Sequence, residues 1–473
     1  MNTFFISKNY IINGKKLDKY QTKAVMCNKD KYLVIAGAGS GKTLTIVAKI
    51  KYLLENGYKE NEILCISFTN ETVNSLKELL KRNNINVNVK TFHKLSLDIL
   101  NSNQNISSSD LLEYITIEYF ESLIYFDNTY KLLDYIKIND EVKKTIISFI
   151  NQMKGLNYDI NFLLKLLFNN LVDEDDKIIL VLILKVYISY QEELESENKI
   201  DFNDMINLAI NNIDFINYFP YKYLIIDEYQ DTSECKYLLI KKIIDKFNLK
   251  LMAVGDDYQS IYSFTGCNLS LFIKFKKFFN NSKIIKLKNT YRNPNDITEI
   301  SKRMVMKNKN QIYKRLKSSK YNERSILVVY YDDEKKAIET IIKNTDNLMI
   351  LGRNNKDIDN YNNFLIPEKN IRFLTVHKSK GLEEDNVIIL NVIDDVLGFP
   401  NKIKSNQVFS YLRNYNYFEE ERRLFYVALT RAKNRVYIFT RKGKESIFVK
   451  ELLKEYKWKI KVIDLTKKTL NNC

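Results

Sequence analysis

The apolar run Leu33-Val34-Ile35, the loop Ala36-Gly37-Ala38-Gly39-Ser40-Gly41-Lys42-Thr43 and the helical start Leu44-Thr-Ile-Val-Ala follow one another without a break. Strand, glycine-rich loop and helix in immediate succession make a P-loop, whose backbone N–H groups and helix N-terminus face phosphates. The loop therefore takes a nucleoside triphosphate, with Lys42 on the β and γ oxygens and the Thr43 hydroxyl on Mg²⁺. Ala36 stands where the usual G-x-x-x-x-G-K-[ST] pattern has its first glycine.

Charge points to a second polyanion. The chain carries 74 Lys and Arg against 58 Asp and Glu, a net charge of +16, which favours nucleic acid over a membrane surface as partner. Residues 101–195 hold 8 Lys and 16 Asp or Glu, so that stretch carries −8 and the remainder +24. The basic surface lies outside it. Cys27, Cys65, Cys235, Cys267 and Cys473 form no C-x-x-C pair, and the chain has only 2 His, so neither a zinc site nor a disulfide framework is expected. The apolar run Ile178–Leu184 ends at Lys185, too short to span a bilayer, and the N-terminal residues lack the pattern of a signal peptide. A cytoplasmic protein, with no membrane partner, is expected.

At 473 residues the chain exceeds one core. Short apolar runs alternate with helical patterns at Leu33–Ile35, Ile63–Ser67 and Val87–Val89, as in a parallel α/β sheet. Between 101 and 195, apolar residues recur at three- and four-residue spacing, as in an all-helical insertion. The α/β pattern returns at Tyr223–Asp227 and Leu251–Gly255. A second α/β section starts near Ile284 and supplies Ile326–Tyr330, Leu348–Leu351, Val387–Leu390 and Val436–Phe439. The expected division is a P-loop domain of residues 1–100 and 196–285, a helical insertion of 101–195, and a second α/β domain of 286–473. The lysine-rich stretch from Lys442 reads as a solvated helix and basic tail.

Two strand ends carry further chemistry. In Leu224-Ile-Ile-Asp227-Glu228-Tyr-Gln230-Asp231, Asp227 would complete the Mg²⁺ shell and Glu228 would orient or deprotonate the attacking water. In Gly255-Asp256-Asp257-Tyr258-Gln259-Ser260-Ile261-Tyr262-Ser263-Phe264-Thr265-Gly266, Gln259 is a γ-phosphate sensor, and Tyr262 and Phe264 offer faces for stacking bases.

With these motifs in order, the chain resembles the UvrD/Rep-like superfamily 1 DNA helicases, and most of all their helicase IV branch. Gln21 in Leu17-Asp-Lys-Tyr-Gln-Thr matches the glutamine that reads adenine. Phe68 and Asn70 in Ile66-Ser-Phe-Thr-Asn, and His93 in Thr91-Phe-His, match strand-contacting positions. Asp201-Phe-Asn-Asp204-Met looks like the acidic motif preceding the Asp-Glu pair. Tyr291-Arg292 is similar to the pair that stacks on adenine and reaches the γ-phosphate. Thr375-Val-His377-Lys-Ser-Lys380-Gly-Leu-Glu383 resembles the motif coupling DNA to ATP. Glu419-Glu-Glu-Arg-Arg423 through Tyr426-Val-Ala-Leu-Thr-Arg431 resembles the last motif, with Arg431 as the arginine finger. Such a finger is worth about 10³–10⁵ in rate. Arg422 and Arg423 read instead as salt bridges to Glu419–Glu421.

Departures limit the carry-over. Thr265 replaces an arginine that many relatives place after the stacking aromatic, and Leu44 a basic residue that some pack on adenine. Between Arg353 and Thr375 larger relatives insert a whole regulatory domain, and residues 354–374 leave no room for one. The P-loop also starts too near the N-terminus for the extra N-terminal domain of helicase IV.

The resemblance implies two RecA-like domains that use ATP and Mg²⁺ to move 3′ to 5′ on single-stranded DNA and separate duplex, acting as a monomer. One alternative is a DNA-stimulated translocase that depends on a partner nuclease or repair protein. The other is a non-hydrolysing, nucleotide-dependent DNA adaptor, which the full hydrolytic set of Glu228, Gln259 and Arg431 argues against.

Overall fold

The computed structural model describes residues 10–101, 105–108, 110–126, 140–359, 361, 370–403, 406–412 and 416–466. Two parallel six-stranded sheets organise it. The first contains β1 (Lys31–Ile35), β2 (Ile63–Ser67), β3 (Asn88–Thr91), β4 (Tyr223–Ile226), β5 (Lys250–Gly255) and β6 (Lys283–Lys286), in spatial order β6-β1-β5-β4-β2-β3. Strands β1, β2, β4 and β5 are almost wholly buried. Helices cover both faces, which explains why these strands are continuous apolar runs rather than alternating ones. Their side chains divide between two cores, with Val34, Cys65 and Ile225 on one face and Leu33, Leu64 and Leu224 on the other.

The second sheet contains β7 (Ile326–Tyr331), β8 (Leu348–Gly352), β9 (Ile371–Thr375), β10 (Glu384–Ile389), β11 (Ala432–Thr440) and β12 (Ile460–Leu465), ordered β9-β8-β10-β11-β7-β12. Two segments differ from the sequence pattern. Lys283–Lys286 pairs with β1, so the run around Ile284 closes the first sheet rather than opening the second. The lysine-rich end is more than a solvated helix and tail: its helix Ile447–Tyr456 buries Phe448, Val449 and Leu452, and β12 pairs with β7. The tail beyond Thr466 lies outside the described residues.

Helices Leu111–Phe126, Asp140–Gly155, Ile160–Leu167 and Glu174–Ser196 form the insertion, with a core of its own. Val408 and Leu412, from the segment after β10, pack into that core, and Tyr411 donates to Asp176 Oδ2 at 2.8 Å. The insertion is also tied to the first domain by Lys154, which is buried and bonds both Asp201 and Asp204 at 2.5 Å.

Cys27, Cys65, Cys235 and Cys267 are free and buried. Among the described residues no helix is long and apolar enough to cross a membrane.

Candidate functional site

Strand order decides which loops meet. β1 lies beside β5 and β5 beside β4, so the P-loop, the Gln259 turn and the Asp227-Glu228 turn leave adjacent strands at their carboxyl ends, the usual ligand edge of an open parallel sheet. Gly39 (φ 67°) and Gly41 (φ 78°) occupy left-handed backbone, which favours glycine. Ala36 is not among the residues with positive φ, which is why alanine is tolerated at the position where the common pattern has glycine.

The cavity above this edge has a volume of about 820 Å³, and its lining includes Lys15, Lys16, Gln21, Gly37, Gly39 to Leu44, Asp227, Glu228, Gln259, Tyr291, Arg292, Glu383 and Arg431. Nearly all the expected nucleotide residues therefore converge. Ala36 and Ala38 do not line it. Ala36 is fully buried and donates its N–H to Gly255 O at 2.8 Å, and Ala38 packs against Tyr258 and Tyr426 behind the loop.

Lys42 Nζ sits 2.7 and 2.8 Å from the two Glu228 carboxylate oxygens. Burial alone would lower the Lys42 ammonium, but Glu228, Asp227 and Asp256 together raise it. Burial, and then the Glu228 charge, push the neighbouring Asp227 carboxyl up to about 6. Glu228 is pushed up by burial and pulled down further by Lys42 and Lys380, ending at about 2. The two carboxylates are thus driven apart, with Glu228 the firmly ionised one.

Glu383 and Arg431 immediately precede β10 and β11, whose first residues, Glu384 and Ala432, are register partners. Arg292 Nε bonds Glu383 at 2.6 Å. Arg431 is 1% exposed, and its guanidinium bonds Val427 O and Leu382 O at 3.0 Å and Gln259 Oε1 at 3.3 Å. None of its partners among the described residues is a carboxylate. Burial, and then Arg292, lower it to about 9. The neighbouring arginines do not pair with Glu419–Glu421 as the spacing suggests. Arg422 makes a bidentate pair with Glu451, Arg423 donates to Ser260 O, and Glu421 is taken by Arg353. One helix turn points these side chains to different neighbours, so proximity in sequence does not become contact.

Gln21 is buried and doubly engaged: its amide donates to Ser40 O at 3.0 Å and its carbonyl caps its own helix by accepting from Asp18 N–H. Tyr291 is half-exposed at the cavity and donates to Asp18. Thr43 is exposed there.

The expected strand-contacting residues fall into two groups. Tyr262, Phe264 and His377 meet ring to ring, with centroids 5.7 to 6.2 Å apart, across the seam between the sheets. Phe68 packs on Phe92 beneath Lys236, and His93 lies edge-on to Phe202. Asn70 opens the helix Asn70–Lys81 and is exposed, and Thr375 ends β9. A second cavity, of about 350 Å³, is bordered by Phe264 and His377, by Ser148 and Gln152 of the insertion, and by Phe409 and Tyr417. The insertion residues carry no sequence signal of this. Lys380 links the two sites: it bonds Asp231 at 2.5 Å and Gln259 O at 2.8 Å and lies over the Tyr262 ring.

Comparison with known proteins gives the family. Residues 17–280 match the UvrD/REP helicase N-terminal domain and residues 354–443 the UvrD-like helicase C-terminal domain. The chain is 26% identical to DNA helicase IV of Escherichia coli (strain K12), over 94% of this chain and 71% of that protein. It is 29% identical to the probable DNA helicase II homolog of Rickettsia conorii, over 72% of this chain and 52% of that one. Against the ATP-dependent DNA helicase Rep of Buchnera aphidicola subsp. Acyrthosiphon pisum, identity is 31% over 68% of this chain. The chain spans about half the length of the last two relatives.

Proposed function

Since the chain belongs to the UvrD/Rep helicase family, we propose that it is an ATP-driven motor that moves 3′ to 5′ along single-stranded DNA and separates duplex DNA. The observation that carries this is the single cavity in which Lys42, Asp227, Glu228 and Gln259 from one sheet face Arg292, Glu383 and Arg431 around the other. ATP phosphates compete with Glu228 for Lys42. Their arrival takes Lys42 away from Glu228, which raises the proton affinity of that carboxylate and lets it take a proton from the attacking water. Arg292 and Arg431 approach the γ-phosphate as the cleft closes and neutralise the charge that develops there.

Thr43 and Asp227 fit a Mg²⁺ site. One Asp227 oxygen accepts the Glu228 N–H at 2.9 Å, and a hard cation held largely by phosphates and water needs few protein oxygens. Mg²⁺ would supply charge neutralisation on the β and γ oxygens. Single-stranded DNA would cross Phe68, His93, Tyr262, Phe264 and His377, with bases stacked and lysines on phosphates. Lys380, touching Asp231, the Gln259 carbonyl and the Tyr262 ring, gives strand and nucleotide a shared contact.

Steady-state ATP hydrolysis without nucleic acid, with single-stranded DNA and with single-stranded RNA tests this. Strong stimulation by DNA is expected. Hydrolysis absent under all three conditions would favour a nucleotide-dependent adaptor. A partner-dependent translocase is the second reading, favoured by the short connection from β8 to β9, which has no room for a duplex-gripping domain. Strand separation that requires an added nuclease or repair protein would select it.

A further inference from the structure

The run Gln311–Leu316 falls in none of the motifs above, yet it fills the seam behind the nucleotide cavity. Lys314 is 1% exposed. Its Nζ bonds the Asp256 carboxylate, pairs with Asp257 Oδ1 at 2.6 Å without hydrogen-bond alignment, and lies 3.8 Å from the Tyr258 ring centroid. Gln311 Nε2 and the Ile312 N–H donate to Asp257 Oδ2 at 2.8 and 2.7 Å, and Tyr258 donates to Ile312 O at 2.9 Å. At the other end Leu316 abuts the P-loop: a Cβ on Gly37 would stand 2.6 Å from Leu316 Cδ1.

Asp256 is the informative member. It is fully buried, and its second oxygen accepts from Gln259 Nε2 at 2.6 Å. A carboxylate only accepts and a guanidinium only donates. Between Asp256 and Arg431, the Gln259 amide therefore has one allowed orientation, with NH₂ toward Asp256 and Oε1 toward Arg431 NH2 at 3.3 Å. A buried carboxylate deprived of its counter-charge takes a proton or turns to other donors, and that constraint on the amide is lost.

We propose that Lys314 is a positioning residue for ATP hydrolysis: as the counter-charge of Asp256 it sets the Gln259 amide against Arg431, while its segment couples that turn to the P-loop. This rests on the ATPase function proposed above. Neither Lys314 nor its partners Asp256 and Asp257 line the nucleotide cavity, so its effect belongs to turnover rather than to nucleotide binding.

The test compares wild type, Lys314→Met, Lys314→Arg and Asp256→Asn for kcat and KM of DNA-stimulated ATP hydrolysis, with affinity for a fluorescent ATP analogue and thermal melts alongside. Lys314→Met is expected to lose about 10²-fold in kcat, the scale of removing one preorganised donor, with KM and analogue affinity within about threefold. Lys314→Arg, which keeps the charge, is expected to recover to within about tenfold of wild type. If Lys314→Met does not fold, Asp256→Asn decides, with the same loss in kcat at unchanged KM expected. A kcat within threefold of wild type, or a loss confined to KM, overturns the proposal while leaving the motor intact. Wild type that turns over no ATP overturns the motor itself, and this proposal with it.

Discussion

Arg431→Ala separates catalysis from folding. A finger arginine contributes about 10³–10⁵ in rate, which is about 4–7 kcal/mol of transition-state stabilisation at roughly 1.4 kcal/mol per decade. Its structural value is much smaller. The guanidinium is held by Val427 O and Leu382 O at 3.0 Å and by longer contacts to Gln259 and Thr430, and a bond from a charged donor is worth roughly 1.5–3 kcal/mol. Its proton is bound less tightly in the fold, at about 9 against an ordinary 12.5, so at neutral pH the charge works against folding and its removal relieves that cost. That relief is of the same order as the bonds lost, so the two largely offset each other and the Tm is expected to change little. Arg422 is the control, since its bidentate pair with Glu451, at 2.6 and 3.0 Å, lies outside the cavity. Breaking a buried pair costs about 3–5 kcal/mol, toward the low end here because Glu451 is partly exposed. A coupled ATPase assay at saturating single-stranded DNA, with calorimetric melts, should show Arg431→Ala down at least about 10³-fold in kcat with a small Tm change. Arg422→Ala should show the reverse. Arg431→Ala turning over within tenfold of wild type would refute the assignment.

Lys42→Ala should abolish ATP hydrolysis while single-stranded DNA binding stays measurable by anisotropy; equal turnover in variant and wild type would contradict the phosphate role. Because Asp227 is raised to about 6, it keeps its proton below that pH and yields it above. With Mg²⁺ limiting, kcat/KM should therefore rise about tenfold per unit up to about pH 6 and then level, and a flat profile from pH 5 to 6 would count against Asp227 as the metal ligand. Phe264→Ala should weaken single-stranded DNA binding by about 1–3 kcal/mol, the value of one stacked base, seen in titrations at fixed salt, and unchanged affinity would remove it from the track. Neutralising lysines outside 101–195 should flatten the salt dependence of DNA binding more than changes within that acidic segment; the reverse would place the strand on the insertion.

Sequence legibility followed the range of the interactions concerned. Strands β1, β2, β4 and β5 are buried on both faces and announce themselves as apolar runs, and the P-loop and the Asp227-Glu228 turn are local spacings. The strands that the pattern does not mark, β9 and β12, are the edge strands of the second sheet, and β6, whose run it assigns to the second section, is an edge strand of the first. There half-exposed residues such as those of Ile371–Thr375 break the apolar run. In the site, Gln259 and Arg431 are legible as separate motifs, but their contact, 172 positions apart in the chain, is not. Lys314 sits in the run Lys-Arg-Leu-Lys, indistinguishable in sequence from the solvated lysines around it until the fold brings Asp256 and Asp257 to it. Arg422 shows the opposite error, where a glutamate close in sequence loses to Glu451, brought up by the last helix.

Strand separation on duplexes bearing a single-stranded tail at only the 3′ end or only the 5′ end, with ATP and Mg²⁺, tests the central claim most directly. Unwinding of the 3′-tailed duplex alone, lost in Lys42→Ala, is the expected result. Unwinding from the 5′ tail alone, or separation that persists without ATP hydrolysis, would contradict an ATP-driven 3′ to 5′ motor.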